Sequence, residues 1–96
     1  MNNKSMNKGE INMKNNTYNG WKNRSTWNVT LWIANDYGLY TSAVEFMKTY
    51  KGKRPYVNFI DYMYLRHEKT PDGIKWISTG LDYKALNEFM NEFKEH

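Results

Sequence analysis

The stretch Asn19-Gly-Trp-Lys-Asn-Arg-Ser-Thr-Trp-Asn-Val-Thr-Leu-Trp-Ile-Ala-Asn-Asp-Tyr-Gly-Leu-Tyr40 holds three of the chain's four tryptophans, and its reading decides the fold. Asn23 or Ser25 offers a side-chain acceptor to the free amides of a first helical turn, which predicts a helix running to about Asn35. Trp27, Leu31 and Ala34 then fall i, i+4, i+7 on one face, and Val29, Trp32 and Ile33 occupy much of the other. Only Asn28 and Thr30 are polar in between. A helix apolar over most of its circumference belongs in the middle of a bundle, so Trp27 is expected in the core. The alternation of Trp27, Val29, Leu31 and Ile33 also fits a strand. The other strand face would then carry Trp32 and Ala34, and the flanking cap residues favour the helix.

Working outward, Asp36 can cap a second helix from about Tyr37 to Tyr50, with Leu39, Ala43, Phe46, Met47 and Tyr50 at helical spacing. Gly52 suits a C′ position and Pro55 the start of a third helix, roughly Tyr56 to His67, marked by Val57, Ile60, Met63 and Tyr64. Thr70-Pro71-Asp72-Gly73 has the residues of a type I turn. Residues 74–77, Ile-Lys-Trp-Ile, read either as a short extended segment or as an irregular flap over the core. Asp82 caps a last helix in which Leu86, Phe89, Met90 and Phe93 form the apolar face, and Leu81 with Leu86 forms a hydrophobic staple. The expected fold class is therefore all-α: a compact four-helix domain over residues 18–96, preceded by a flexible polar and basic arm over residues 1–17.

At 96 residues the chain has room for one core. Aromatics make up 17% of it, and each removes a large area from water, which offsets the small size. There is no cysteine, so no disulfide framework or thiolate metal site can form. A segment resembling a signal peptide or a membrane span is absent, and the expectation is a cytoplasmic protein that does not engage a membrane. The net charge is +4, and the arm holds half of it in Lys4, Lys8 and Lys14 against Glu10. In the remainder, Lys48, Lys51, Lys53 and Arg54 cluster in one turn, while Asp82, Glu88, Glu92 and Glu95 make the last segment acidic.

The spacing of Asn19-Gly20-Trp21, Asn23, Thr26-Trp27-Asn28, Leu31-Trp32, Asn35-Asp36 and Gly38-Leu39-Tyr40 resembles the opening signature of a family of small helical proteins encoded by bacteriophages and plasmids. The apolar-Lys-Trp triplet Ile74 to Trp76, followed by an amphipathic last helix, is similar too. What the resemblance implies is a compact helical fold, a mobile-element origin and a bacterial host cytoplasm. Accessory products of this kind commonly bind host machinery, including restriction and CRISPR systems, and the resemblance implies no catalytic activity or cofactor.

The residues themselves point away from catalysis. His67 and His96 are isolated, Ser25, Ser42 and Ser78 have no nearby histidine, and Asp61 with Glu68 reads as solvated partners of Arg66 and Lys69. Glu88, Glu92 and Glu95 have the spacing of a solvent face. No catalytic residue, cofactor site or metal site is expected. Binding is the remaining class. Eight tyrosines and four tryptophans exceed what so small a core encloses, which marks Trp32, Tyr37, Tyr40, Tyr56 and Tyr62 as candidates for a protein interface. That interface would take a host protein or nucleoprotein complex, or a second copy of the chain in a homodimer. The alternative is a small nucleic-acid-binding protein, in which Lys48, Lys51, Lys53 and Arg54 neutralise phosphates, Tyr56 and its neighbour Tyr50 stack on bases, and the N-terminal arm assists.

Overall fold

Asn23 begins the first helix, its side chain accepting from the Thr26 amide at 2.9 Å. In the computed structural model, which describes residues 20–95, four α-helices follow in order: α1 (Arg24–Asn35), α2 (Tyr37–Thr49), α3 (Pro55–Tyr62) and α4 (Tyr83–Asn91), the last continued by a 3-10 turn (Glu92–Glu95). The expected arm, residues 1–17, lies outside the described residues. Asp36 alone separates α1 from α2. Its amide donates to the Trp32 carbonyl and its carboxylate accepts from the Leu39 amide, so one residue closes one helix and opens the next. Asp82 caps α4 in the same way, accepting from Ala85, and the flanking Leu81 and Leu86 are both buried as a staple requires.

The core is built from Val29 and Ile33 of α1, Ala43 and Met47 of α2, Phe59 and Ile60 of α3, and Leu86 and Met90 of α4. Apart from Ala43, each of these buried side chains contributes roughly 1.5–3 kcal/mol through removal from water, and shared burial is what keeps helices this short folded. Trp76 and Phe93 close the core from the connection before α4 and from the 3-10 turn. The all-α expectation holds. Extended pairing of residues 74–77 is limited to one antiparallel bridge, Lys69 with Lys75.

The face of α1 that is buried differs from the expected one. Thr26, Asn28, Val29, Thr30 and Ile33 are buried, while Trp27 and Leu31 are half-buried and Ala34 is exposed. The reason is the long connection between α3 and α4, which folds back across α1 and needs polar partners there. Asn28, 1% exposed, donates from Nδ2 to Asp72 Oδ2 at 2.8 Å and accepts at Oδ1 from the Thr70 hydroxyl at 2.7 Å. The Thr70 hydroxyl in turn accepts from the Asp72 and Ile74 amides, and the Gly73 amide closes the turn onto the Thr70 carbonyl. Trp32 Nε1 donates to the same Asp72 oxygen at 2.9 Å. Nearer the start of α1, the Thr26 hydroxyl accepts from the Asp82 amide and Asn23 Nδ2 donates to the Gly80 carbonyl. Residues that read as caps and spacers thus form a polar seam along one helix.

The third helix is also shorter than the expected Tyr56 to His67. Tyr64 takes a left-handed φ of 60°, and the Leu65 and Tyr64 amides return to the Ile60 and Asp61 carbonyls, which is a Schellman closure. At its other end Arg54 supplies no side-chain cap, and Asn87 of α4 accepts from the Tyr56 amide at 3.0 Å instead. Gly52 does not adopt the left-handed C′ conformation expected of it. Its role is room: a β-carbon there would collide with the Tyr50 hydroxyl and ring, which fold over the turn.

Two outcomes follow from the seam. Asn28→Ala, which leaves the buried Thr70 hydroxyl without its acceptor, is expected to lower stability by roughly 1–3 kcal/mol in urea unfolding. The hydrogen bonds from Asn28 and Trp32 hold the Asp72 carboxyl below its ordinary 3.8, so the folded state binds this proton less readily than the unfolded chain. Its stabilisation is complete above that ordinary value and drains as pH falls through the lower folded one. Urea midpoints measured from pH 6 to pH 2 should fall less steeply for Asp72→Asn than for the wild type; equal slopes would mean that the carboxylate is not so held.

Candidate binding face on α2 and α3

Phe46 and Tyr50 are one turn apart on α2, and their rings stack at a centroid distance of 5.1 Å with 23° between planes. Phe46 also meets Tyr62 of α3 at 5.1 Å and the buried Phe59 at 5.5 Å. The result is a continuous row, Tyr50–Phe46–Tyr62, anchored in the core through Phe59 and reaching solvent at Tyr62, which is 56% exposed. Tyr50 is fixed further, its hydroxyl accepting from the Arg54 amide and from Asn58 Nδ2 at 2.9 Å. Rings held this way lose little rotamer freedom on binding, which favours them as contact residues.

Cations flank the row. Lys48 pairs with Glu45 at 2.8 Å on the helix surface. Lys51, Lys53 and Arg54 are exposed, and among the described residues no carboxylate lies within ion-pair reach of them. Lys48, Tyr50 and Lys51 line a groove of about 330 Å³ together with Met47, Phe93 and Lys94. Lys94 arrives from the far end of the chain, and nothing local in the sequence announces that it joins the turn.

The five residues expected at a protein interface do not form one surface. Tyr37 is 82% exposed at the start of α2. Trp32 is half-buried with its indole on Asp72, and Tyr40 is half-buried with its ring against Phe93 at 5.6 Å. Tyr62 alone joins the ring row. Tyr56 must be corrected outright, for both the protein and the nucleic-acid reading: it is fully buried, and its hydroxyl donates to the Trp76 carbonyl at 2.6 Å. Burial, with Tyr83 beside it, pushes its phenol well above the ordinary 10.0, so it stays protonated as a donor. The ring serves the core and cannot stack on a base. Phe46 and Tyr64 were missed as surface candidates. The i, i+4 spacing of Phe46 and Tyr50 was a usable signal for the first; for Tyr64, counted on the buried stripe of a longer helix, there was none.

Tyr64 is 90% exposed and sits at the C′ position of α3, where glycine is usual because a β-carbon in this conformation is strained. Among the described residues no three His, Asp or Glu side chains converge in a way that would hold a metal ion, and no helix is long and apolar enough to cross a membrane. Residues 14–96 match the model of a family of unknown function, DUF7249, and the chain belongs to that family. No curated protein and no solved structure gives a significant match.

The strain at Tyr64 is measurable. Tyr64→Gly should raise stability by roughly 0.5–1 kcal/mol in urea unfolding, the relief of about 1–2 kcal/mol of left-handed strain less the added chain entropy of glycine. A loss of stability would mean that the tyrosine ring packs on the domain.

Proposed function

We propose that this DUF7249 domain acts by binding and not by catalysis, as an accessory protein of a phage or other mobile element that holds a host protein or nucleoprotein complex in the bacterial cytoplasm. The observation that carries the binding part is the row Tyr50–Phe46–Tyr62 with the exposed Lys51, Lys53 and Arg54 in the turn beside it. Tyrosine and arginine are among the residues that dominate affinity at protein interfaces, and a rigid aromatic ring buries much area for little entropy. The mobile-element part, and with it an anti-restriction or anti-CRISPR role, rests on the signature between Asn19 and Tyr40.

A second reading, binding to nucleic acid through residues 48–56, is favoured by the groove that brings Lys48, Lys51 and Lys94 together beside Tyr50 with no carboxylate in its lining. The two differ in their response to salt, since phosphate contacts release counterions and aromatic burial does not.

Affinity capture from host lysate with the tagged protein, after nuclease treatment and a high-salt wash, should retain one host protein under the first reading. Tyr62→Ala should then weaken that complex by tenfold or more, about 1.4 kcal/mol or above, while the melting temperature stays near that of the wild type. Retention unaffected by Tyr62→Ala but abolished when Lys51, Lys53 and Arg54 are all changed to Ala, with nucleic acid recovered at low salt, would replace the first reading by the second.

A further inference from the structure

Away from the α2–α3 face, the connection after α3 carries an arrangement of charge that stability does not explain. Lys69 and Lys75 are antiparallel bridge partners. The hydrogen bonds on either side, Thr70 amide to Ile74 carbonyl at 2.8 Å and Trp76 amide to Glu68 carbonyl at 3.1 Å, make theirs the non-hydrogen-bonded kind of pair. That kind brings α-carbons to ~4.5 Å and side chains onto the same face, where like charges repel. An acidic residue at either position would have attracted. Both lysines are exposed, and neither has a carboxylate within ion-pair reach among the described residues.

The same two lysines line a cleft of about 180 Å³ with Arg66, His67, Glu68 and Ile77. Asp61 orients Arg66 with a two-point contact, accepting at 2.7 Å from Nε and at 2.8 Å from Nη2, and this fork leaves Nη1 outside the ion pair. Glu68 is the one carboxylate in the lining. Lys48 of the larger groove has an ordinary explanation that these two lack: it pairs with Glu45 and lies in the last turn of α2, where the partial negative charge of the helix end already attracts a cation.

We propose that the cleft between residues 66–69 and 75–77 is a binding site for a phosphoryl group. A dianion placed between Lys69 and Lys75 turns their repulsion into attraction to a shared partner, and a pre-oriented guanidinium matches phosphate oxygens better than a lone ammonium does. A cleft of this volume takes a single phosphoryl group, and the ligand proposed is inorganic phosphate or a small phosphate monoester. The site stands independently of the reading of the α2–α3 face, sharing no residue with it.

The test is an amide-resolved NMR titration of the full chain with inorganic phosphate, then with phenyl phosphate, at ionic strength held constant with sodium chloride. Saturable shifts concentrated in residues 66–77 are expected, and the ratio of the two affinities tells whether the ester is preferred to the free ion. Lys75→Glu should weaken binding by at least tenfold and at the same time raise the urea midpoint, because it replaces a repelling bridge pair by an attracting one; Lys69→Gln combined with Lys75→Gln should also abolish saturation without a charge reversal. Shifts that do not saturate, that are equally large at Lys48, Lys51 and Lys94, or that survive the Lys75 and Lys69 changes would overturn the assignment. So would a lowered midpoint for Lys75→Glu, which would show that the two side chains do not oppose each other.

Discussion

The side chain of Asn28 touches solvent almost nowhere, and its carbonyl and amide ends are bonded to two residues of one turn, Thr70 and Asp72. A buried primary amide left unpaired costs about as much as the whole net gain from several ordinary hydrogen bonds, so this residue tolerates α1 in the core only with the 70–73 turn seated on it. The rest of the architecture follows. With that turn seated, Trp76 drops into the core, Tyr56 finds the Trp76 carbonyl, and the chain is delivered to Asp82, whose amide meets Thr26. The polar seam and the apolar core are thus one device: the seam sets where the long connection lies, and the connection supplies the side chains that complete the core.

The α2–α3 face depends on that device at one remove. Asn87 of α4 satisfies the first turn of α3, and Tyr50 reaches over Gly52 to the Arg54 amide, so α3 is held at its start by α4 and by the end of α2. Its far end stops at Tyr64, which places Tyr62 on the last helical turn beside Phe46. A helix of eight residues would not hold a ring in place unaided; held from both neighbours, it does.

What was legible in the sequence was whatever is decided within about one helical turn. Asn23, Asp36 and Asp82 cap as their positions suggested, the Thr70 to Gly73 turn forms, and Leu86, Met90 and Phe93 are buried with Phe89 half-buried beside them, while Glu88 and Glu92 are exposed. What was not legible was decided at a distance. The buried face of α1 is chosen by partners 40 to 57 residues away, so counting apolar positions favoured Trp27 and Ala34 over Thr26 and Asn28. Tyr56 looked like a surface residue because its acceptor, the Trp76 carbonyl, belongs to a segment of irregular backbone. The candidate site shows the same division: the basic cluster at residues 48–54 could be read locally, whereas Lys94 and the opposition of Lys69 to Lys75 arise from chain reversal.

The seam also fixes the order in which the domain can be completed during synthesis. The α1–α2 corner is closed by Asp36 alone, but helices of 12 and 13 residues need the shared core to persist. Every bond of the seam joins α1 to residues from Thr70 to Asp82, and closing so long a loop has to await their arrival. Until then Asn28 and Thr26 have water in place of their partners, and the apolar side of α1 has no cover. The nascent protein therefore emerges with its core open, and acquires a finished surface only when the last quarter of the chain has been translated.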